Sequence, residues 1–214
     1  MAERASAQVR KLGRSPSILE ELDRDLTAAG IVGEERAKKL LYLALTSRLG
    51  DRPVSLALTG VTGTGKSVVM KAILPLLPRG SYVESSSSSA QALAFRKGDY
   101  VHKFIVFHEG AGILHEQTMT TLKNLVSDAL FVHRTTENIK GRFEPRLIRK
   151  HGPTGLLFTT TRQTLEPEIE SRLISLPMTE SPDQTRAILL ATAERGGKPP
   201  RLDAKDAERW LQFQ

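Results

Sequence analysis

The chain has 214 residues, of which 31 are basic and 24 acidic, and its net charge of +7 is of the kind that often accompanies a polyanionic partner. It has no cysteine, which excludes disulfide bonds and thiolate metal sites and favours a reducing compartment. The longest apolar run, Leu40 to Leu45, is too short to span a membrane, and the N-terminus lacks the apolar stretch of a signal peptide. We therefore expect a cytoplasmic protein with no membrane partner.

The N-terminal third of the sequence predicts a tail followed by two helices. Residues 1–14 are small, polar and basic without periodic apolar positions, so we expect a flexible tail. Order is predicted to begin at Ser15 and Pro16, which can cap and start a helix that stops at Gly30. A second helix is predicted from about Gly33 to Leu49, because leucine and alanine recur there at helical spacing.

A phosphate-loop motif follows a short apolar strand. Residues 60–67 read GVTGTGKS and match the Walker A pattern G-x-x-x-x-G-K-[ST] at every fixed position, directly after the buried strand predicted over Val54 to Thr59. The residues predicted to hold the phosphates are Gly60, Thr62, Gly63, Thr64, Gly65, Lys66 and Ser67. Glycines let main-chain N–H groups approach a polyphosphate, Lys66 supplies a positive charge, and the Ser67 hydroxyl is suited to Mg²⁺. The predicted helix over Ser67 to Leu74 would direct its positive end at the anion.

The rest of the chain alternates strands with helices. Strands are predicted at Tyr82 to Glu84, Lys103 to Phe107 and Leu156 to Thr160, and helices at Gln117 to Val126, Pro167 to Leu173, Ser181 to Glu194 and Asp203 to Phe213, the last placing Trp210 and Leu211 to dock on the body. This order predicts an α/β fold: a three-layer P-loop NTPase with a parallel sheet covered on both faces. Ligands of such sheets bind at the carboxyl ends of the strands.

The strand predicted over Lys103 to Phe107 resembles a Walker B segment. Four apolar residues, Phe104 to Phe107, are followed by His108 and Glu109. Glu109 is the residue expected to polarise the attacking water, whereas His108 replaces the usual aspartate and could only contact Mg²⁺ indirectly, through a bound water. A less favoured alternative is a transition-metal site of His108, Glu109 and His115, whose spacing differs from the helical H-E-x-x-H motif.

The order of these motifs resembles that of AAA+ ATPases, including the superfamily 3 helicases. The strand predicted over Leu156 to Thr160 leads into the threonine run Thr159-Thr160-Thr161, and Ser171-Arg172 follows in the next helix. Over about residues 17–194 the chain looks like the ATPase module of phage and mobile-element replication proteins, which are often joined to primases. The segments that carry this likeness are Ile31 to Glu35, Leu41 to Arg48, Gly152 to Leu157, Thr159 to Thr161 and Gln184 to Arg186.

The resemblance implies roles for two further residues and a domain plan. Thr160 would sense the γ-phosphate, although a threonine is also ordinary at a strand end. Arg172 would reach the nucleotide of a neighbouring subunit, unless it only pairs with Glu168 on a solvated helix face. We expect an AAA+-like core over residues 15–180 and a partial helical lid over residues 181–214.

The resemblance also gives a role to a basic segment, residues 131–151. It holds six basic and two acidic residues and can pair as a hairpin around residues 138–142. Superfamily 3-like helicases place such a hairpin in the channel of a ring, where it grips single-stranded nucleic acid. The residues expected to contact nucleic acid are Arg134, Lys140, Arg142, Arg146 and Arg149. The alternative is an exposed, solubilising hairpin.

Together these patterns predict an ATPase that uses ATP and Mg²⁺ to move or remodel nucleic acid. The expected partners are single-stranded or forked DNA, further copies of the chain in a ring, and a primase or other replication protein. One alternative is a nucleotide-gated interaction protein, such as a helicase loader, in which His108 leaves hydrolysis slow. A small-molecule kinase would share the phosphate loop but would need an acceptor pocket and a lid, for which the sequence has no signal.

Overall fold

A computed structural model describes residues 7–85, 90–108, 116–139, 142–162, 165 and 167–214. Its strands are β1 (Leu56–Thr59), β2 (Tyr82–Ser85), β3 (Lys103–Phe107), β4 (Leu130–Ile139), β5 (Arg142–His151), β6 (Thr154–Thr160) and β7 (Ile174–Pro177). The helices are α1 (Ala7–Gly13), α2 (Ile18–Ala28), α3 (Glu35–Thr46), α4 (Lys66–Ile73), α5 (Ala90–Phe95), α6 (Glu116–Ser127), α7 (Pro167–Glu170), α8 (Pro182–Glu194) and α9 (Ala204–Phe213). Short 3-10 turns follow α3 (Ser47–Leu49) and α4 (Leu74–Leu76).

The core is a parallel five-stranded sheet in the order β2-β3-β6-β1-β7. Its central strands are apolar at consecutive positions because both faces are covered, and alternate residues of each strand enter two different cores. Leu58, Val106 and Leu157 point into the core shared with α2, α3, α4 and α9. The opposite core includes residues of α5, α6 and α7. The predicted three-layer P-loop NTPase fold is therefore confirmed.

The sheet places the predicted motifs at one edge. The parallel register pairs Thr59 at the end of β1 with Thr160 at the end of β6. It also pairs Phe107 at the end of β3 with Phe158 of β6. The residues that follow β1 and β3, which are the phosphate loop and His108, are therefore neighbours of the threonine run that ends β6.

The expected flexible tail over residues 1–14 is wrong for residues 7–13, which form α1. Val9 and Leu12 of this helix are buried, and Leu12 belongs to the core on the α4 side of the sheet. The sequence has no obvious apolar stripe here because Val9 and Leu12 are the two buried side chains of α1. The helix packs beside the C-terminal helix α9.

The C-terminal helix docks on the body as expected, through Trp210. This side chain is completely buried, meets Tyr42 edge to face at 5.4 Å between ring centroids, and donates its indole N–H to Asp25 Oδ2 at 2.7 Å. Leu211, which was expected to dock as well, stays 37% exposed. The helix α9 packs beside α1 and contacts α3 through Trp210 and Tyr42, and the expected helical lid over residues 181–214 stays a prediction.

Candidate nucleotide-binding site

The phosphate loop connects β1 to α4 and takes a conformation that depends on glycine. Gly60, Gly63 and Gly65 have positive φ angles of 145°, 94° and 84°, a region that side chains with a Cβ rarely adopt. A Cβ built on Gly63 or Gly65 would meet nothing within 4 Å, so the loop is open above both residues. The backbone therefore forms an uncovered cradle of the kind that suits a polyphosphate.

Lys66 at the start of α4 is a buried cation held by neutral groups. Its ammonium donates to the carbonyl oxygens of Gly60 at 2.7 Å and Val61 at 2.6 Å, and its side chain is only 8% exposed. Burial lowers the pKa of this amine from its ordinary value. No carboxylate among the described residues forms an ion pair with Lys66. The charge is thus available to an anion.

One cavity of about 380 Å³ unites most of the residues predicted for the nucleotide site. It is lined by Thr62, Gly63, Gly65, Lys66, Ser67, Val68, His108, Thr159, Thr160 and Thr161. Open glycines, an uncompensated ammonium and the Ser67 hydroxyl fit a nucleotide with Mg²⁺. Glu109, the predicted water-activating residue, lies outside the described residues, as does His115 of the metal-site alternative.

The threonines that end β6 have different hydrogen bonds. Thr159 donates its hydroxyl to the carbonyl oxygen of His108 at 2.5 Å, which joins β6 to the end of β3. The hydroxyl of Thr160 accepts the N–H of Arg162 at 3.1 Å, and its own hydrogen has no acceptor among the described residues. The proposed sensing role of Thr160 remains a prediction, and the exposed Thr161 lines the same cavity.

His108 has a partner that the sequence reading missed. Its Nε2 lies 2.6 Å from Oε2 of Glu84, which belongs to the adjacent strand β2. Glu84 is the third residue of the strand predicted over Tyr82 to Glu84, close to the carboxyl end where ligands of parallel sheets bind. An acidic residue near the carboxyl end of a predicted strand was therefore the sequence signal for Glu84.

A second, more apolar cavity of about 160 Å³ adjoins the phosphate loop. Ile31, Val32, Val68, Val69 and Ile188 line it, together with polar residues from α8 and the loop. Two hydrogen bonds fasten α8 to the chain before α3: Gln184 Nε2 donates to the Val32 carbonyl at 2.8 Å, and Arg195 donates to the Gly30 carbonyl at 3.2 Å. This apolar space beside a phosphate cradle suits the base of a nucleotide.

Arg172 lies apart from the cavity. It is exposed and donates a hydrogen bond to the Ser127 hydroxyl at the end of α6. Its expected alternative partner, Glu168, instead pairs with Lys123 at 2.7 Å, and that hydrogen bond is the main cause of the lowered pKa of Glu168. The structure therefore does not bring Arg172 to the nucleotide cavity of its own chain.

The predicted basic hairpin is present as the antiparallel pair of β4 and β5. Directly opposed residues share a face, so the register divides the hairpin into two faces. We call the first the arginine face: it consists of the pairs Leu130/His151, Val132/Arg149, Arg134/Leu147, Thr136/Pro145 and Asn138/Phe143. It contains no acidic residue, and Phe143 near the tip is 76% exposed.

The opposite face carries the acidic residues and the attachment to the body. Here Arg146 is neutralised by Glu137 at 2.7 Å. Phe131 is buried, and Lys150, 8% exposed, donates to the carbonyl oxygens of Arg96 and Gly98. Arg142 is exposed at the start of β5, and Lys140 lies outside the described residues.

Comparisons with known proteins give one likeness in sequence and one in fold. No protein-family model matches the chain. DNA replication licensing factor mcm7 of Schizosaccharomyces pombe is 29% identical over 147 residues, which are 62% of this chain and 19% of that protein. The crystal structure of a candidate ATPase from Cytophaga hutchinsonii superposes with a TM-score of 0.54 and 11% identity over 98% of this chain and 64% of that one. The chain thus spans about a fifth of mcm7, and the second likeness concerns the fold.

Metal clusters and membrane-spanning helices are both absent from the part of the chain that the structure describes. No group of three or more histidine, aspartate or glutamate side chains there could hold a metal ion. No helix in that part is long and apolar enough to cross a bilayer.

Lys150 is predicted to hold the hairpin rather than to bind a ligand. Lys150→Ala leaves two carbonyl oxygens without their charged donor and should lower the free energy of unfolding by about 1–3 kcal/mol. Urea denaturation followed by circular dichroism measures this loss. The adjacent Arg149→Ala is the control and should change stability by less than about 0.5 kcal/mol; equal losses would show that Lys150 does not anchor the hairpin.

Proposed function

We propose that this protein binds and hydrolyses ATP and uses the cycle to move or remodel nucleic acid, in the manner of a helicase-like AAA+ ATPase. The observation that carries the proposal is the single cavity in which the Walker A loop, His108 and the threonines of β6 meet. These groups come from the ends of β1, β3 and β6, where ligands of parallel sheets bind.

Each part of the nucleotide has a matching part of the site. The open loop would receive the β- and γ-phosphates, and Lys66 would exchange its two carbonyl acceptors for phosphate oxygens. The apolar cavity beside α8 would take the base. The Ser67 hydroxyl would hold Mg²⁺, which neutralises charge on the transferred phosphoryl group. Glu109 would orient the attacking water, and Thr160 would donate its free hydroxyl hydrogen to the γ-phosphate.

The proposed active unit is an oligomer, a ring of identical chains. Arg172 is exposed and outside its own cavity, which is the placement required of an arginine that acts on a neighbouring subunit. Head-to-tail contacts of this kind close into rings. The proposed role is in replication of a phage or mobile element, in the cytoplasm and beside a primase, because the sequence resembles the ATPase module of such replication proteins.

The arginine face is the proposed contact for single-stranded or forked DNA. Arg134 and Arg149 are exposed there with no acidic neighbour on the face, and Phe143 offers a ring on which a base can stack. On the opposite face Arg146 is already paired with Glu137. The basic residues of the hairpin are therefore not equivalent: we assign the main contact to Arg134 and Arg149, and a lesser one to Arg142 and Arg146 with Lys140.

A nucleotide-gated interaction protein is the second candidate, because histidine stands where the Walker B aspartate is usual. Steady-state ATPase assays with and without single-stranded DNA separate the two functions. Turnover that rises with DNA supports the motor. Tight ATP binding without turnover supports a switch that orders a surface for a partner.

Lys66→Ala tests the nucleotide site. Removing the ammonium should weaken Mg²⁺-ATP binding by about 10- to 100-fold, because a charged hydrogen bond to phosphate is lost, and should abolish turnover. Isothermal titration calorimetry and phosphate release measure the two effects. Lys71→Ala, an exposed lysine on the same helix, should bind ATP like the unmodified protein. Full activity of the Lys66 variant would contradict the assignment of the loop.

Arg172→Ala tests action between subunits. The variant should bind ATP normally but lose turnover, and mixing it with the Lys66→Ala variant should restore part of the rate, since mixed contacts combine an intact Lys66 with an intact Arg172. Ser127→Ala removes the hydrogen-bond partner of Arg172 and should keep the rate. An unchanged rate in Arg172→Ala would mean that the arginine serves only the contact with α6.

Substitutions on the two hairpin faces test the DNA contact. Arg134→Ala and Arg149→Ala should each weaken binding of an oligonucleotide and reduce the slope of log K against log salt by about 0.7, the value for one phosphate contact on a single strand. Fluorescence anisotropy over a salt series measures both quantities. Arg146→Ala, on the other face, should change them less; equal effects of all three would contradict the assignment to one face.

A further inference from the structure

Glu84 and His108 form a pair on the side of the sheet that carries the phosphate loop. Glu84 is opposite Val106 in the parallel register of β2 and β3, and Val106 packs in the core that contains Val69 and Met70 of α4. His108 is two residues beyond Val106 and lines the main cavity. Because side chains of a strand alternate, Glu84 and His108 both face the layer of α4.

The contact between them fixes the chemistry of the imidazole ring. A carboxylate can only accept hydrogen bonds, so Nε2 of His108 must carry the hydrogen that Glu84 accepts at 2.6 Å. In the neutral ring Nδ1 is then an acceptor. This Nδ1 is buried and has no hydrogen-bond partner among the described residues. A buried acceptor without a donor is costly, so this atom is set up to receive a donor that arrives with a ligand.

We propose that Glu84 is a positioning residue of the nucleotide site: through its contact with Nε2 it holds His108 in the tautomer whose Nδ1 accepts a hydrogen bond from a donor of the Mg²⁺-nucleotide complex. Glu84 also supplies, one strand away, the negative charge that the Walker B strand lacks at position 108. Histidines near metals commonly donate their second ring N–H to a carboxylate for this purpose. The inference rests on the proposed nucleotide site.

The environment of the pair favours this role over a purely structural one. The Glu84 side chain is 50% exposed and that of His108 34%, and a contact so open to water contributes little to folding stability. The main-chain oxygen of His108 is separately fixed by Thr159, so the backbone does not need Glu84 to stay in place. What Glu84 adds is the orientation and tautomer of the ring.

The tautomer is measured without nucleotide. Long-range ¹H–¹⁵N correlation spectra, recorded at a pH where the ring is neutral, should show His108 protonated at Nε2. Glu84→Ala should shift the ring toward a mixture of forms, whereas Glu84→Gln, whose amide oxygen can still accept the hydrogen, should keep the Nε2–H form. An unchanged ring in Glu84→Ala, or an Nδ1–H tautomer in the unmodified protein, would overturn the inference.

Nucleotide binding supplies the second readout. ATP affinity is measured by calorimetry with Mg²⁺ and with EDTA, and the ratio of the two affinities is compared between the unmodified protein and its variants. Glu84→Ala should lower the gain in ATP affinity that Mg²⁺ provides by about 10- to 100-fold and leave ATP affinity in EDTA unchanged. Glu144→Ala, an exposed glutamate on the hairpin, is the charge-matched control. Equal weakening with and without Mg²⁺ would make Glu84 merely structural.

The two proposals fail in different ways. If the unmodified protein binds no ATP under either condition, the nucleotide site itself is wrong. If ATP binds with a normal Mg²⁺ dependence that Glu84→Ala leaves intact, the nucleotide site stands and the role of Glu84 is wrong.

Discussion

The buried ammonium of Lys66 is the constraint on which the site depends. It is held by two neutral carbonyl oxygens and by no carboxylate among the described residues. Carbonyl dipoles orient a cation without cancelling its charge, so the loop keeps a positive potential at a side chain that is only 8% exposed, where electrostatic attraction is stronger than in water. The open loop above Gly63 and Gly65 leaves that charge accessible.

The parallel sheet supplies the remaining groups by geometry alone. Strands that run in the same direction end at the same edge, so His108 and the threonines of β6 reach the loop although they are far from it in sequence. Alternation along each strand then decides which side chains face α4. The same rule acts in the hairpin, where it separates an arginine face from the face that is attached to the body.

Much of this arrangement could be predicted from the sequence because its signals are local. The Walker A spacing identified the loop, the apolar run over Lys103 to Phe107 identified β3 with its correct bounds, and the basic segment over residues 131–151, with the family resemblance, identified the hairpin. The short strand β7 and the helix α1 were missed, because each has too few apolar positions for a periodic pattern. The position of Glu84 near the end of a predicted strand was visible in the sequence, but its contact with His108 and the anchoring of Lys150 join residues distant in the chain, which spacing cannot reveal.

The most direct test of the account is a crystal structure with a non-hydrolysable ATP analogue and Mg²⁺. We expect the phosphates to lie in the loop of residues 60–67, with the ammonium of Lys66 moved from the carbonyls of Gly60 and Val61 onto phosphate oxygens, and the base beside Val32 and Ile188. A structure in which Lys66 keeps its carbonyl partners while the analogue binds elsewhere would contradict the central claim.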